Sequence, residues 1–262
     1  MTNNHINQII NDFRGLIKVC GVTVAIKWLF MVVIHFNECI KSKNLQPADR
    51  ALGIGPYRVR RGNAIATLKC NNVISAIREI WVRDVYLKND YIKIPENGLV
   101  VDLGANVGNF SVLALSHNNC IRLIAVEPNK ELNKIFWEQM DLNGWRNRVV
   151  LNRYFIGTMS ATQKMMLKDI QSMNAEFIPA EEFIKLNNIQ RIDFLKCDIE
   201  GSEFGLIENN APLLRITEQL AIEIHDSAGD SKHFLARLKE LGFTIGPVKE
   251  DPGGCIALAK RS

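Results

Sequence analysis

Carboxylates and one histidine gather in two short segments of the second half of the chain. Asp198, Glu200 and Glu203 follow an apolar run, and Glu223 and His225 end another. Like charges this close repel one another unless a proton, a cation or a cationic ligand lies between them. Alternation along a strand puts Glu223 and His225 on one face, so we expect His225 to act as a general base beside the carboxylates.

The carboxylates do not all need a chemical explanation. Ser202 is a typical N-cap residue, and Glu203 would then lie in the first turn of a helix, where the helix dipole favours an acidic side chain. Asp198 and Glu200 lack such an explanation, and we predict that they act with His225 in catalysis. A divalent ion held by Asp198, Glu200 and Glu223 is an alternative, because magnesium prefers carboxylates, but we expect no metal.

A glycine-containing loop is the second chemical motif, with the sequence VDLGANVGNF at residues 101–110. Gly104 and Gly108 have the spacing G-x-x-x-G at a predicted strand-to-helix turn, where glycine permits unusual dihedral angles and close approach of a ligand. A dinucleotide fingerprint needs glycine at position 106, where this chain has Asn106. The loop therefore favours a ligand without a pyrophosphate and with a charged amino-acid end.

An acidic residue at the end of the next apolar run completes this pattern. Glu127 lies 23 positions after Gly104, and Pro128 ends the strand behind it. A carboxylate at this position can bind both hydroxyls of a ribose. Together with Asp102 and the glycine loop, Glu127 indicates an adenosyl-type ligand. Asp102 has the alternative explanation of a buried carboxylate that only caps its own turn.

Alternating apolar and helical segments must position these groups. From residue 99 onward the patterns predict strands at 99–103, 121–126, 148–156, 193–197, 220–224, 243–245 and 255–259, with a small extra strand at 163–168. They predict helices at 107–117, 130–143, 180–188 and 230–242. This order is typical of βαβ units and of a mostly parallel sheet covered by helices on both faces. Ligands bind such sheets at the carboxyl ends of the strands.

The first 70 residues are predicted to be a helical extension with a short hairpin, and residues 71–262 the catalytic domain. Residues 16–36 are strongly apolar, but Lys27 near their middle argues against a spanning helix, and no signal-peptide cleavage site follows. Two alternatives remain: a helix packed on the catalytic domain, or peripheral membrane contact through residues 10–45. Strands at 57–60 and 64–68 would form the hairpin, and helical spacing follows over residues 74–87.

Composition and charge exclude several classes of protein. The chain has 262 residues, 47% hydrophobic and 23% charged, which excludes collagen-like and disordered chains. A net charge of +4 is too small to indicate nucleic acid, and we expect no nucleic-acid partner. Residues 1–98 carry 14 basic and 7 acidic side chains, which favours contact with an anionic membrane or substrate.

The six cysteines are widely spaced, which argues against a zinc site and a disulfide scaffold. Buried thiols are typical of a reducing compartment. We therefore predict a cytoplasmic chain, either free or peripheral to the inner face of the membrane.

Taken together, these segments resemble the FkbM family of S-adenosylmethionine-dependent methyltransferases. The matching motifs are VVDLGANVGNFS, AVEPN, DFLKCDIEGSE and AIEIH, in the order and spacing of the family. The resemblance covers roughly residues 75–260. It implies an α/β, Rossmann-like class I methyltransferase fold with a seven-stranded, mostly parallel sheet and helices on both faces. It also implies S-adenosyl-L-methionine as cofactor and methylation of a hydroxyl on a saccharide, glycolipid or polyketide-type acceptor.

The resemblance also assigns roles to single residues. The methionine part of the cofactor would be held by the residues of the glycine loop, namely Asp102, Gly104, Ala105, Asn106 and Gly108. Glu127 would bind the ribose, and Asp198 would lie near the cofactor's amino group or the reacting centre. Residues 154–157 would line the adenine, although Thr158 replaces an acidic residue that family members often have there.

Two other function classes stay open at this point. One is a cofactor-binding or membrane-surface assembly protein without activity, which motifs alone do not separate from an enzyme. The other, less favoured, is an NAD-type oxidoreductase, against which Asn106 counts. In the preferred mechanism the oxygen of a substrate hydroxyl attacks the methyl carbon in line with the C–S bond, and the sulfur leaves as a neutral thioether. His225 removes the proton of the hydroxyl.

Overall fold

A central sheet organises the protein. The structure, a computed structural model, describes residues 3–88, 90–157, 174–208, 210–251 and 253–261. Its strands are, in chain order, β1 (Tyr57–Arg61), β2 (Ala64–Leu68), β3 (Gly98–Leu103), β4 (Ile121–Val126), β5 (Val149–Asn152), β6 (Phe155–Ile156), β7 (Phe177–Ile178), β8 (Phe194–Cys197), β9 (Gln219–His225), β10 (Phe243–Asp251) and β11 (Gly254–Arg261).

Seven of these strands form one sheet in the order β10–β11–β9–β8–β3–β4–β5. Five neighbouring strands of the sheet are parallel to one another: β9, β8, β3, β4 and β5. β11 is antiparallel to β9, and β10 is antiparallel to β11. The register places Asp102 between Ala125 and Lys196. The predicted α/β, Rossmann-like class I methyltransferase fold is thereby confirmed, and the carboxyl ends of the parallel strands share one edge.

The helices are, in chain order, α1 (Asn3–Cys20), α2 (Val22–Ile34), α3 (Phe36–Ser42), α4 (Gln46–Ala51), α5 (Val73–Ala76), α6 (Asn109–His117), α7 (Lys130–Leu142), α8 (Ala180–Leu186), α9 (Glu203–Leu206), α10 (Pro212–Arg215) and α11 (Ser231–Glu240). The four helices predicted after residue 99 are confirmed with slightly shorter ends. α6 begins only at Asn109 because Gly108 has a φ of 85°, outside the helical region. The helical pattern predicted over 74–87 forms α5 and a π-helix, Ile77–Val82, and ends before Asp84, whose φ is 57°.

Apolar residues pack on both faces of the sheet. Val100 belongs to one hydrophobic core, whereas Val101 and Leu103 belong to the other. Side chains alternate along a strand, so a strand covered on both sides must be apolar at nearly every position. β8 is buried over its whole length for this reason. This two-sided burial holds the loops at the carboxyl edge in place.

The first helices pack on the domain through a buried ion network. Asp12 of α1 accepts hydrogen bonds from Arg83 (2.6 Å) and Arg78 (3.2 Å). Asp49 of α4 accepts from Arg78 (2.5 Å) and from the indole Nε1 of Trp28 (2.8 Å). Buried charges are tolerated when each has partners of this kind. α1 therefore packs on the π-helix, α2 packs on α1 and α4, and Trp28 lies in the same core as Val100.

The expectation of one apolar helix over residues 16–36 was wrong. The chain leaves the helical region at Gly21, whose φ is 90° and ψ 166°, and it bends again at His35. Among the described residues, no single helix is long and apolar enough to cross a bilayer; α2 and α3 reach that length together only across a bend of 75°. The division of the chain at residue 70 stays a prediction.

The predicted hairpin is confirmed and lies behind the glycine loop. β1 and β2 pair antiparallel, with Tyr57 opposite Leu68. Gln139 of α7 accepts a hydrogen bond from the backbone of Lys69 (3.3 Å) and donates one to Asn109 at the start of α6 (3.2 Å). The hairpin therefore fixes the far side of the loop that carries the predicted cofactor residues.

The strand predicted at 148–156 is divided in the structure. A short 3₁₀-helix, Arg146–Arg148, precedes β5, and the backbone N–H of Glu127 donates to the carbonyl of Asn152 where β5 ends. β6 then pairs with β7 outside the main sheet, with the rings of Phe155 and Phe177 stacked 4.5 Å apart. The small strand predicted at 163–168 lies outside the described residues.

Candidate active site

A cavity of ≈ 260 Å³ opens at the edge of the sheet where the predicted motifs end. This is the place where parallel α/β sheets bind ligands. Its walls come from the segments that follow four parallel strands, and it is lined by Gly104, Asn106, Val126, Glu127, Pro128, Leu132, Tyr154, Phe155, Ile156, Asp198, Ile199, Glu200 and Ser202. Five of the predicted site residues thus share one cavity.

The two glycines of the loop are needed for packing. Gly104 has a φ of 74°, and a Cβ there would overlap the backbone carbonyl of Asp198. Gly108 has a φ of 85°, and a Cβ there would lie 2.7 Å from the ring of Phe136. Gly104 lines the cavity, whereas Gly108 lies behind its wall with Asp102 and Ala105. Close packing of backbone on backbone, rather than open space for a ligand, requires glycine at position 104.

Glu127 closes the loop on one side of the cavity. It is only 7% exposed, and its two carboxylate oxygens accept backbone hydrogen bonds from Asn106 and Asn129, both at 2.8 Å. Burial raises the pKa of Glu127, and these two hydrogen bonds oppose that rise. A carboxylate has about four acceptor positions, so Glu127 retains capacity for two hydroxyl donors from the cavity.

Asp102 and Lys196 form a buried pair that sequence reasoning missed. Asp102 accepts a hydrogen bond from the hydroxyl of Ser111 (2.6 Å), and its other oxygen lies 3.4 Å from Nζ of Lys196. Lys196 also donates to the carbonyl of Gly104 (2.8 Å) and lies 3.7 Å from Asp198. Burial disfavours its charge, but the two aspartates outweigh burial and raise the pKa of Lys196. The signal in the sequence that could have revealed this buried pair is a lysine inside an otherwise apolar run, FLKC at residues 194–197.

Much of the cavity lining is apolar. Tyr154, Phe155 and Ile156 belong to it, as the resemblance implied, with Val126, Pro128 and Leu132. The hydroxyl of Tyr154 accepts a hydrogen bond from Asn187 (3.0 Å), which fixes its ring. A flat aromatic base is bound well by such a surface. Thr158 lies outside the described residues.

Beside the cavity, His225 and Glu203 form a carboxylate–imidazole pair. Nδ1 of His225 lies 3.1 Å from Oε1 of Glu203, which also accepts a hydrogen bond from the backbone of Ile199 (2.9 Å). Glu203 is fully buried, and its Oε2 has no hydrogen-bond partner among the described residues. Glu203 begins α9, as predicted, but the side chain of Ser202 before it makes no capping hydrogen bond, so the prediction of an N-cap was wrong. The contact of Glu203 with His225 was not predicted. Its place in the first turn of a helix already explained an acidic residue there, and its distance along the chain from His225 does not indicate a contact.

The other nitrogen of His225, Nε2, faces a group of carboxylates, Asp198, Glu200 and Glu223, which we call the acidic rim. Nε2 lies 3.7 Å from Glu200 and 3.9 Å from Glu223, so the predicted shared face of Glu223 and His225 is confirmed. The hydrogen bond to Glu203 raises the pKa of His225 to about 9, although burial opposes this; the charges of Glu203, Glu200 and Asp198 add to the rise. Burial first, and Asp198 second, raise the pKa of Glu223 to about 7.

Three ligand atoms in this cluster could hold a metal ion. One atom each from Asp198, Glu203 and His225 lies within 4.8 Å of the others. This set replaces Glu200 and Glu223 of the predicted alternative with Glu203 and His225.

The residues present fit the adenosyl cofactor that the sequence predicts. A buried carboxylate with free acceptor capacity, an apolar wall with an aromatic ring and a half-buried carboxylate at Asp198 suit a ribose, an adenine and an ammonium group respectively. Asn106 has a φ of 51° and donates its backbone N–H to Glu127. Its N–H is therefore used within the protein and does not point at a phosphate.

Comparison with known proteins identifies the family. The sequence model described as "Methyltransferase FkbM domain" matches residues 102–245, more than half of the chain. The chain is 24% identical over 247 residues to the AMB antimetabolite synthetase AmbE of Pseudomonas aeruginosa, covering 72% of this chain but only 11% of that protein. It is 22% identical over 171 residues to the hexuronic acid methyltransferase AglP of Haloferax volcanii, covering 58% of this chain and 69% of AglP.

Among solved structures, the precorrin-6y C5,15-methyltransferase of Geobacter metallireducens is 15% identical, with a TM-score of 0.46; the alignment covers 70% of this chain and 88% of that one. The matched range 102–245 begins at Asp102 and includes the glycine loop, Glu127, Asp198 and His225. The chain belongs to the FkbM methyltransferase domain family and is an S-adenosylmethionine-dependent methyltransferase.

Proposed function

We propose that the protein transfers a methyl group from S-adenosylmethionine to a hydroxyl oxygen. The observation that carries this proposal is the pair of His225 and Glu203, with Nδ1 held by a buried carboxylate and Nε2 facing the rim of the cavity. A hydroxyl is a weak nucleophile and needs a base to remove its proton. Glu203 acts as the positioning residue, because a fixed Nδ1–H leaves Nε2 as the accepting nitrogen.

The cavity residues divide the work of binding the cofactor. Glu127 takes the ribose hydroxyls, the wall at Tyr154 takes the adenine, and Asp198 takes the ammonium group of the methionine part. The bound cofactor supplies a methyl group activated by a positive sulfonium. Asp102 and Lys196 support the glycine loop from behind, and neither lines the cavity.

The acidic rim favours an acceptor without negative charge. Asp198, Glu200 and Glu223 lie around Nε2 of His225, so an anionic acceptor would meet like charges there. The relative AglP is named for hexuronic acid, an anionic sugar at neutral pH. Because of this rim, we propose that the acceptor here is a neutral hydroxyl compound: a saccharide, a glycolipid head group or a polyketide-type alcohol.

The cysteines bear on where the protein acts. Five of the free cysteines are at least partly buried, which fits a reducing compartment, the cytoplasm.

Labelled cofactor tests this function. The protein is incubated with S-adenosylmethionine carrying a labelled methyl group and with a panel of neutral sugars, uronic acids, glycolipids and polyketide alcohols. We expect label in a neutral alcohol as an ether that resists mild base, which a methyl ester does not. The variant His225→Asn should bind the cofactor normally by calorimetry and lose turnover by about 10²-fold or more. Label in a carboxyl ester or on nitrogen would contradict O-methylation, and an active His225→Asn would remove His225 as the base.

A further inference from the structure

The second helix exposes an apolar face to solvent. Val22, Ile26, Phe30, Val33 and Ile34 are all more than half exposed, with Val33 reaching 66%. On the next helix, α3, Phe36 and Ile40 lie one helical turn apart and are also exposed. Exposed large apolar residues are common singly, but a continuous group on one element marks a contact surface. We call the exposed face of Val22–Ile34 together with Phe36 and Ile40 the apolar surface.

The opposite face of α2 is already used. Ala25, Trp28 and Val32 are buried, and Trp28 donates its indole N–H to Asp49. The helix is therefore anchored, and its orientation is fixed by residues other than those of the apolar surface. A helix that is apolar all round normally lies inside a protein or a membrane. No part of the chain that the structure describes covers the apolar surface.

The segment of the chain that carries this surface has a strongly positive exposed charge. Among the side chains described in residues 6–61, the exposed lysines and arginines outnumber the exposed acidic residues eight to one. Lys27 lies on α2 itself, and Lys41 and Lys43 lie at the end of α3. The acidic residues Asp12 and Asp49 do not offset this charge, because both are buried and paired with arginines.

We propose that the apolar surface lies in the interface of an anionic lipid bilayer. A helix with apolar residues on one side and lysines beside them is the usual form of a peripheral membrane anchor. A second copy of the chain fits poorly, because a two-fold contact through this face would bring the same lysines together. A spanning helix also does not fit: 13 residues of α2 reach about 20 Å, short of the roughly 30 Å hydrocarbon layer.

Vesicle flotation with the full chain tests this inference. We expect binding to vesicles that contain phosphatidylglycerol and weak binding to vesicles of phosphatidylcholine alone. The double variant Phe30→Ser/Val33→Ser should lower the partition coefficient by about tenfold or more, since two apolar side chains leave the interface. The matched control Leu142→Ser/Leu186→Ser also removes two exposed apolar residues, on α7 and α8, and should leave binding unchanged.

A second pair of substitutions tests the attraction between the lysines and the anionic lipid. Lys27→Glu/Lys41→Glu should reduce binding to anionic vesicles and leave the far-UV circular dichroism spectrum and melting temperature unchanged, because both side chains are exposed. Absence of vesicle binding by the wild-type protein would overturn the inference. So would a dimer in sedimentation velocity that Phe30→Ser/Val33→Ser abolishes without any change in flotation, because the apolar surface would then be a protein interface. Neither result depends on the acceptor or on turnover.

Discussion

The charge of Glu203 sets the pH at which His225 can accept a proton. With a pKa of about 9, only ~1% of His225 is neutral at pH 7 in the cofactor-free protein. The largest cause of this raised pKa is the hydrogen bond to Glu203 at 3.1 Å, and the charge of Glu203 contributes further. Replacement of Glu203 by glutamine keeps a hydrogen-bond acceptor of the same size and removes the charge. We expect the pKa of His225 to fall by about one to two units in Glu203→Gln.

This substitution has opposite effects on two parts of the pH profile. The rising limb of kcat/KM should move to lower pH by the same one to two units, because it reports the base of the free enzyme. The plateau should fall by about 10- to 100-fold, because a neutral amide no longer stabilises the imidazolium that forms when His225 takes the proton of the substrate. A purely structural role for Glu203 would lower the plateau without moving the limb.

The matched control is Glu200→Gln. Glu200 lies 3.7 Å from Nε2, but its side chain is 73% exposed, so solvent screens its charge. Its substitution should move the limb by a few tenths of a unit at most. Titration of the His225 ring by NMR in the cofactor-free protein, assigned with His225→Asn, measures the same shift without turnover. Equal shifts in both variants, or no shift in Glu203→Gln, would refute the assigned role of Glu203.

Three further outcomes are expected. Glu127→Ala should weaken S-adenosylmethionine binding by at least about tenfold in calorimetry, since the ribose hydroxyls lose their acceptor, whereas the exposed Glu131→Ala should not; equal affinities would remove the ribose assignment. EDTA should leave turnover unchanged, and a loss restored by Mg²⁺ would instead place an ion at the acidic rim. The pKa of His225 is raised from 6.5 to about 9, so the folded protein holds this proton more tightly than the unfolded chain. The resulting stabilisation of the fold is fully present below pH 6.5 and is lost as the pH rises through 9. Urea unfolding of wild type and His225→Asn should show the difference in free energy declining over that interval.

The sequence predicted most of the strands because their periodicity and composition follow from two-sided burial. β4 was predicted with the right ends, and β3 within one residue, since both are short apolar runs bounded by polar loops. The break at Gly21 was missed because the apolar run continues through it, and hydropathy does not report backbone angles. The division of the strand at 148–156 was missed for a related reason: both halves are apolar, but they pair with different strands.

The candidate site was predictable where a motif fixes a side chain at a strand end. Glu127 and Asp198 come directly after β4 and β8, and both line the cavity. The contacts of Glu203 with His225 and of Lys196 with Gly104 were not predicted, because they join segments far apart in the chain. Lys196 reaches Gly104 across 92 positions, and Glu203 reaches His225 across 22. Spacing within one segment contains no information about such contacts.

The predicted cofactor residues and the glycine loop are joined by direct contacts. Asn106 donates its N–H to Glu127, and Gly104 packs on the carbonyl of Asp198 with no room for a side chain. Lys196 donates to the carbonyl of Gly104 and lies beside Asp198. A displacement of the loop therefore moves the predicted ribose acceptor and Asp198 together, which explains why both glycine and lysine are needed in segments that share no local pattern.

The same contacts continue to the predicted base. The segment that begins at Asp198 presents the N–H of Ile199 to Glu203 at 2.9 Å, and Glu203 holds His225 at 3.1 Å. Glu127 and His225 thus lie at the two ends of one set of backbone and carboxylate contacts. Methyl transfer requires that the donor and the deprotonated hydroxyl meet within a few tenths of an ångström of the reactive geometry. Because the predicted cofactor site and the predicted base share the segment after β8, we expect that distance to be set by packed backbone and not by two independently mobile loops.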